Sequence, residues 1–204
     1  MALTYLYIGK NMNKKELKQF LLDELYAPYK NCLQCPLSLL GRTHVVFGRG
    51  NPDAKLLLIG EAPGKDEDLQ GQPFVGRSGK LLSKALESLG VDENDIYITN
   101  IVKCRPPLNR APLPSESAIC TKILLQEQIK IISPSVICSL GACATNFFLE
   151  NSKGISKTRG TLQNYRSIKL IPTYHPAYIL RNQKKLGVLL SDLRLAFNIA
   201  YNFK

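Results

Sequence analysis

Two sets of side chains in this sequence have the chemistry to do work. The first is a group of cysteines. Of six in the chain, Cys32 and Cys35 stand in C-x-x-C spacing within NCLQCPL, and Cys104 and Cys120 lie sixteen apart, the former sixty-nine residues beyond Cys35. The first pair and Cys104 fall in proline-rich irregular stretches, and Cys120 falls in the opening turns of a helix. Four thiolates delivered by separate segments can close around one metal centre, and thiolate chemistry alone equally allows a zinc ion or a [4Fe–4S] cluster. Cys138 and Cys143 sit inside apolar segments and read as small buried hydrophobes. The second set is Glu61, Asn100 and His175, each at the end of a predicted strand, with Phe74 in the loop that follows the first. An acid, a carboxamide and an imidazole brought together offer general acid–base work, edge-specific hydrogen bonding and leaving-group stabilisation.

The elements that must position these groups begin with LLLIGEAPGKDEDLQGQPFVGRSGKLL, residues 56–82. Leu56 to Ile59 has the length of a buried strand, and Gly60 ends it. A glycine-punctuated loop carrying Glu61, Asp66, Glu67 and Asp68 follows, and a helical pattern resumes through Leu81, Leu82, Ala85, Leu86 and Leu89. Ligands of open α/β sheets bind at such carboxyl ends of strands. The loop lacks both G-x-x-x-x-G-K-[ST] and G-x-G-x-x-G, and its acids repel phosphate, so it does not read as a nucleotide-phosphate loop.

Further strands are expected over Ile96–Asn100, Ser135–Leu140 and a hairpin of Thr161–Tyr165 with Ser167–Thr173; Val45–Phe47 is a short candidate and Gly48–Pro52 a turn. Helices are expected over Lys14–Tyr26, from Ser115 to about Ile132, from Gly141 through Phe148, and from Lys184 to Asn202. Strands alternating with helices imply a mainly parallel sheet covered on both faces. Residues 1–204 read as one domain, residues 1–13 as a loose N-terminal segment.

Lys plus Arg is 27 against 16 Asp plus Glu, a formal charge of +11, which favours a polyanionic partner. No apolar run reaches the roughly 18 residues that span a bilayer, and the start lacks the basic-then-apolar pattern of a secretory signal. The expectation is an intracellular, cytoplasmic protein with no membrane partner, and hence metal ligation in preference to disulfides.

The run GEAPG, then ED, then G-x-PFVG-x-x-G-x-LL resembles the signature of family 4 uracil-DNA glycosylases, without a gap. KCRPP around Cys104, the following NRAPLP, and HPAYILR from His175 resemble that family too, and the likeness extends from about Lys14 to Phe197. The resemblance implies the superfamily's three-layer α/β/α sandwich around a central, mainly parallel four-stranded sheet. It implies a structural [4Fe–4S] cluster on Cys32, Cys35, Cys104 and Cys120. It also implies a uracil pocket built from Gly60, Glu61, Ala62, Phe74, Asn100 and His175. In that pocket Phe74 stacks on the base, Asn100 reads its Watson–Crick edge, His175 donates to O2, and Glu61 is the first candidate to position water, with Glu67 and Asp68 as alternatives. The segment after His175 implies a DNA-contacting loop, with Leu180 a candidate wedge and Arg181, Lys184 and Lys185 contacts to phosphate or groove. The activity implied is monofunctional excision of uracil from single- or double-stranded DNA, by a monomer acting at the nucleoid. Two rivals are a covalent uracil-DNA-binding sister and a non-catalytic, metal-stabilised DNA-binding or polymerase accessory module. The former needs a histidine-bearing insertion, yet only His44 and His175 are present.

Overall fold

The computed structural model describes residues 12–149 and 153–202. The expectation for the N-terminal segment falls largely on residues 1–11, outside the described residues. At the centre is a six-stranded sheet, in the order β1-β3-β2-β4-β6-β5: β1 (Arg49–Gly50), β2 (Leu56–Gly60), β3 (Ile96–Asn100), β4 (Val136–Leu140), β5 (Gln163–Tyr165) and β6 (Ile168–Thr173). The four inner strands run parallel, with Leu58 facing Ile98 on one side and Cys138 on the other, and Cys138 facing Ile171. β1 and β5 close the edges in antiparallel pairing.

Every residue of β2, β3 and β4 is buried, which is why these strands read as continuous apolar runs with no alternation. Alternate side chains nevertheless serve different cores. Leu57, Ile59, Ile137 and Leu170 pack on one face with α1 (Lys14–Tyr26) and a long helical segment. Leu56, Leu58, Val136, Cys138 and Ile171 pack on the other with α3 (Arg77–Ser88), α8 (Pro176–Arg181) and α9 (Leu186–Tyr201). The long segment runs α4 (Pro114–Cys120), a π-helical turn (Thr121–Leu125) and α5 (Gln126–Ile132); α6 (Ala142–Phe148) and α7 (Ile155–Thr158) follow β4. α1 is fixed at its start by a reciprocal cap, Asn13 Oδ1 accepting from Glu16 N–H and Glu16 Oε2 from Asn13 N–H. The buried acid of α9, Asp192, accepts from Arg159 and from the Thr173 hydroxyl at 2.7 Å, so its charge is compensated inside the core.

Several expectations need correction. The sheet has six strands, not four: the first arm of the expected hairpin joins it as β5, and β1, whose two residues carry little apolar signal, is added at the other edge. Val45–Phe47 is buried but is not a strand; the edge strand forms at Arg49–Gly50, where a turn is expected. The loop after β2 contains a helix, α2 (Lys65–Gln70), and HPAYILR forms α8 instead of an irregular loop. The α4–α5 segment starts at Pro114, with Glu116 accepting from Leu113 N–H at 2.7 Å, not at Ser115.

Candidate active site

The parallel register brings Gly60 and Asn100 side by side at one sheet edge. The chain then leaves β2 and β3 together, Ile101 N–H donating to the Gly60 carbonyl at 2.9 Å and Val102 N–H to that of Glu61 at 3.2 Å. His175 lies two residues beyond β6 and caps α8. These ends open into one cavity of about 470 Å³, lined by Glu61, Ala62, Phe74, Asn100 and His175 among others. Gly60, expected in the pocket, is not among the lining residues and lies instead against Asn100 and Phe74, which are. A Cβ there would stand 2.5 Å from Asn100 Oδ1 and 2.6 Å from Phe74 Cζ, so only glycine lets the amide and the ring cover this point.

Phe74 is held in a left-handed backbone conformation, φ 55°, which costs a non-glycine residue about 1 kcal/mol. Its surroundings enforce the strain. Buried Glu67 accepts from the N–H groups of Val75 at 3.0 Å, Gly76 at 2.7 Å and Gly64 at 3.1 Å, and Arg49 Nε donates to the Pro73 carbonyl at 3.0 Å. The backbone of Phe74 lies against α3 at Gly79, where a Cβ would come within 2.0 Å of its carbonyl oxygen. Glu67 touches the cavity wall, but both its oxygens are occupied in tying the loop. Asp68 is likewise occupied, accepting from Thr43 N–H at 2.8 Å and His44 N–H at 3.2 Å.

Asn100 is 2% exposed, and its Oδ1 has no hydrogen-bond partner among the described residues. Leaving a buried acceptor bare costs about 1–3 kcal/mol, recovered by a ligand that brings an N–H. The residue is anchored through its main chain: the fully buried Lys103 donates from Nζ to the Asn100 carbonyl at 2.8 Å and to Thr99 Oγ1 at 2.5 Å. Desolvation draws Lys103 down to about 7.

His175 Nδ1 accepts from Ala177 N–H at 3.1 Å, which leaves Nε2 to carry the proton of the neutral ring. Burial and then the nearby Arg181 charge lower its pKa to about 4, so the ring is a neutral donor at pH 7. Its centroid is 6.0 Å from that of Phe74. Burial pushes the Glu61 carboxyl above its usual range, and a hydrogen bond with Cys143 opposes the shift. Cys143 is therefore more than a packing residue, unlike the fully buried Cys138. Sequence reasoning missed this contact, since it depends on α6 crossing the end of β2.

At the mouth, Arg181 lines the cavity, as do Pro106, Asn109, Arg110, Ala177 and Tyr178, to which sequence reasoning assigned no role. Lys184 and Lys185 are exposed on the 3-10 turn Gln183–Lys185, while Leu180 is half-buried and is not among the residues that line the cavity.

Cys32, Cys35, Cys104 and Cys120 are all free thiols, buried, and packed in one core cluster. Each of the other three perturbs the titration of Cys104, so the four share one electrostatic neighbourhood. Burial raises Cys104 to about 12 and Cys120 to about 11; a metal centre supplies the positive charge that ionises such thiols. Arg42 donates from Nη2 to the Cys32 carbonyl at 2.7 Å, and its buried Nε has no partner among the described residues. The Lys103 N–H points at Cys120 Sγ, 3.3 Å away. Spare donors beside four thiols suit an anionic, thiolate-ligated centre. No group of three or more His, Cys, Asp or Glu side chains in an arrangement ready for a single metal ion occurs among the described residues.

Residues 47–198 match the family model of the uracil DNA glycosylase superfamily. The chain is 45% identical over 183 residues to a type-4 uracil-DNA glycosylase of Thermotoga maritima, covering 88% of this chain and 94% of that protein. It is 41% identical to the type-4 enzyme of Archaeoglobus fulgidus (78% and 83% covered) and 40% identical to that of Sulfurisphaera tokodaii (85% and 82% covered). The cavity, the strand ends that frame it and these likenesses agree: the chain belongs to the uracil DNA glycosylase superfamily, among its type-4 uracil-DNA glycosylases.

Proposed function

We propose that this protein is a monofunctional uracil-DNA glycosylase, which hydrolyses the N-glycosidic bond of deoxyuridine in DNA and leaves an abasic site for base excision repair. The observation that carries the reading is the bare, buried Oδ1 of Asn100, a residue that lines the cavity together with Phe74 and the neutral His175. A base in a duplex must leave the stack before its glycosidic bond can be reached. In the pocket, Phe74 stacks on the extruded ring, Asn100 Oδ1 accepts from uracil N3–H, and its amide N–H donates to O4. Backbone N–H groups at Glu61 and Ala62 hold a carbonyl oxygen.

The C1′–N1 bond breaks with its electron pair going to the base. His175 Nε2–H donates to O2, where the negative charge collects, and the sugar passes through an oxocarbenium-like state. Glu61 orients the water that adds to C1′, and its carboxylate stabilises the positive sugar. Glu67 and Asp68, whose oxygens are occupied by backbone donors, hold the loop in place. Lys103 lies sealed beneath Asn100 with 0% exposure, so it has no route to C1′ as a Schiff-base nucleophile, which supports base removal without strand cleavage.

Cys32, Cys35, Cys104 and Cys120 hold a [4Fe–4S] cluster whose contribution is a cross-link between the segment after α1, the loop after β3 and α4. Arg181, Lys184 and Lys185 contact DNA phosphates, and Leu180 makes an apolar contact on the groove side. The protein works as a single-domain monomer on DNA in the cytoplasm and takes uracil from single or double strands. The test is a labelled oligonucleotide with one uracil, treated with protein and then alkali. Cleavage at the uracil supports the reading. An alkali-stable adduct, or no reaction from anaerobically prepared brown protein, refutes it. Colourless, fully active protein containing one zinc would refute the cluster.

A further inference from the structure

We infer that Leu108 is the side chain that enters the DNA base stack as the uracil leaves it, an inference that rests on the uracil-excising reading above. Leu108 is 96% exposed, the most exposed large apolar residue described. It has a left-handed backbone, φ 54°, and Asn109 beside it has φ 55°. A left-handed conformation is unfavourable for leucine, so the surroundings must impose it.

The loop is built to do so. Asn109 N–H donates to the Pro106 carbonyl and Arg110 N–H to that of Pro107, each at 3.1 Å. Arg105 Nε donates to Asn109 Oδ1 at 2.7 Å. Arg110 grips Glu116 with both terminal nitrogens, at 2.9 and 2.7 Å, and that carboxylate is fully buried. A rigid scaffold therefore holds an apolar side chain out in water, where it gains nothing from the protein's own core. Its neighbours Pro106, Asn109 and Arg110 line the uracil cavity, so Leu108 stands at the lip across which an extruded base must travel. Arg105, bound only to the neutral Asn109 amide, and Arg181 at the same cavity mouth bring positive charge near it, which suits a polyanion and not an apolar protein surface. Apolar wedges that separate base steps need this combination of reach, rigidity and surrounding cations. Leu180, which does not line the cavity, is half-buried in the helix Pro176–Arg181 and has less to insert.

The experiment compares single-turnover excision from a uracil-containing duplex and from the same strand unpaired, for the wild type, Leu108→Ala, Leu108→Gly and Leu180→Ala. Glycine prefers the left-handed backbone, so Leu108→Gly retains the fold and its melting temperature does not fall. For both Leu108 variants the duplex-to-single-strand rate ratio drops at least about tenfold, because only the duplex has a stack to open. An unchanged ratio overturns the inference while leaving the glycosylase reading intact, as does a ratio lowered by Leu180→Ala but not by either Leu108 variant. A wild type inactive on both substrates refutes the glycosylase reading itself, and the inference with it.

Discussion

Replacing Asn100 by aspartate exchanges one NH2 group for an oxygen at the point where uracil and cytosine differ most. Uracil presents an N–H at N3 and an oxygen at O4; cytosine presents a bare N3 and an amino group. In the wild type the orphan Oδ1 and the amide N–H match the first pattern and oppose the second. The side chain cannot swing away to soften the change. It is 2% exposed, it lies over Gly60 beside the Phe74 ring, and its main chain is clamped by Lys103. With uracil bound, the variant keeps the N3 contact, loses the donor to O4 and sets an oxygen against it. The lost bond is worth about 1 kcal/mol, and the buried acceptors left opposed add roughly 1–3 kcal/mol. Burying the new carboxyl adds to the cost. A total of about 3–5 kcal/mol corresponds to a roughly 10²- to 10⁴-fold loss of uracil turnover at about 1.36 kcal/mol per decade. For cytosine the new oxygen accepts from the amino group, so weak cytosine excision emerges from a zero background. The assay is one labelled strand carrying a single uracil, or a single cytosine opposite a mismatch, under single-turnover conditions. Wild-type uracil rates in the variant would show that Asn100 does not read the base.

His175→Ala lowers turnover by about 10²- to 10³-fold with little loss of DNA affinity, since its hydrogen bond strengthens only as charge reaches O2; equal weakening of substrate and product binding at full turnover refutes that role. Because its folded pKa is about 4, below the 6.5 of the free side chain, the folded protein resists protonation there. The imidazole therefore erodes stability as pH falls from 6.5 toward 4, and a wild-type denaturation series shows this slope while His175→Gln lacks its share. Glu67→Gln keeps one acceptor for Val75 and Gly76 but turns a donor toward Gly64 N–H. It costs about 1–3 kcal/mol, and amide exchange at residues 75–76 quickens; unchanged exchange with lost turnover would instead assign Glu67 to the water. Arg181→Ala weakens binding to uracil-containing and plain DNA alike and reduces the salt slope by about one unit, and unchanged affinity at low salt rules out the contact.

The run of residues 56–82 reveals strand, loop and helix because a strand buried on both faces must be apolar throughout and a tight, strained loop must carry glycine. In the same way Asn100 and His175 were legible as strand-end groups, since a parallel sheet gathers such ends at one edge. The four cysteines stood out by type and spacing. The hairpin that supplies β5 and β6 was legible too, but the edge strand β1 was not, because two residues that pair on one side carry no periodicity. Nor was the helix at HPAYILR, whose six residues are too few to show a pattern. The sequence put Glu61 first and left Glu67 and Asp68 as alternatives, because nearby acids look alike in a string. Only the folded loop turns Glu67 and Asp68 onto backbone N–H groups and leaves Glu61 facing the cavity. Leu108 illustrates the same limit. Exposure and backbone strain are properties of a residue among its neighbours in space, and hydrogen bonds from Arg105 and Arg110, formed after the chain has folded, decide where that leucine points.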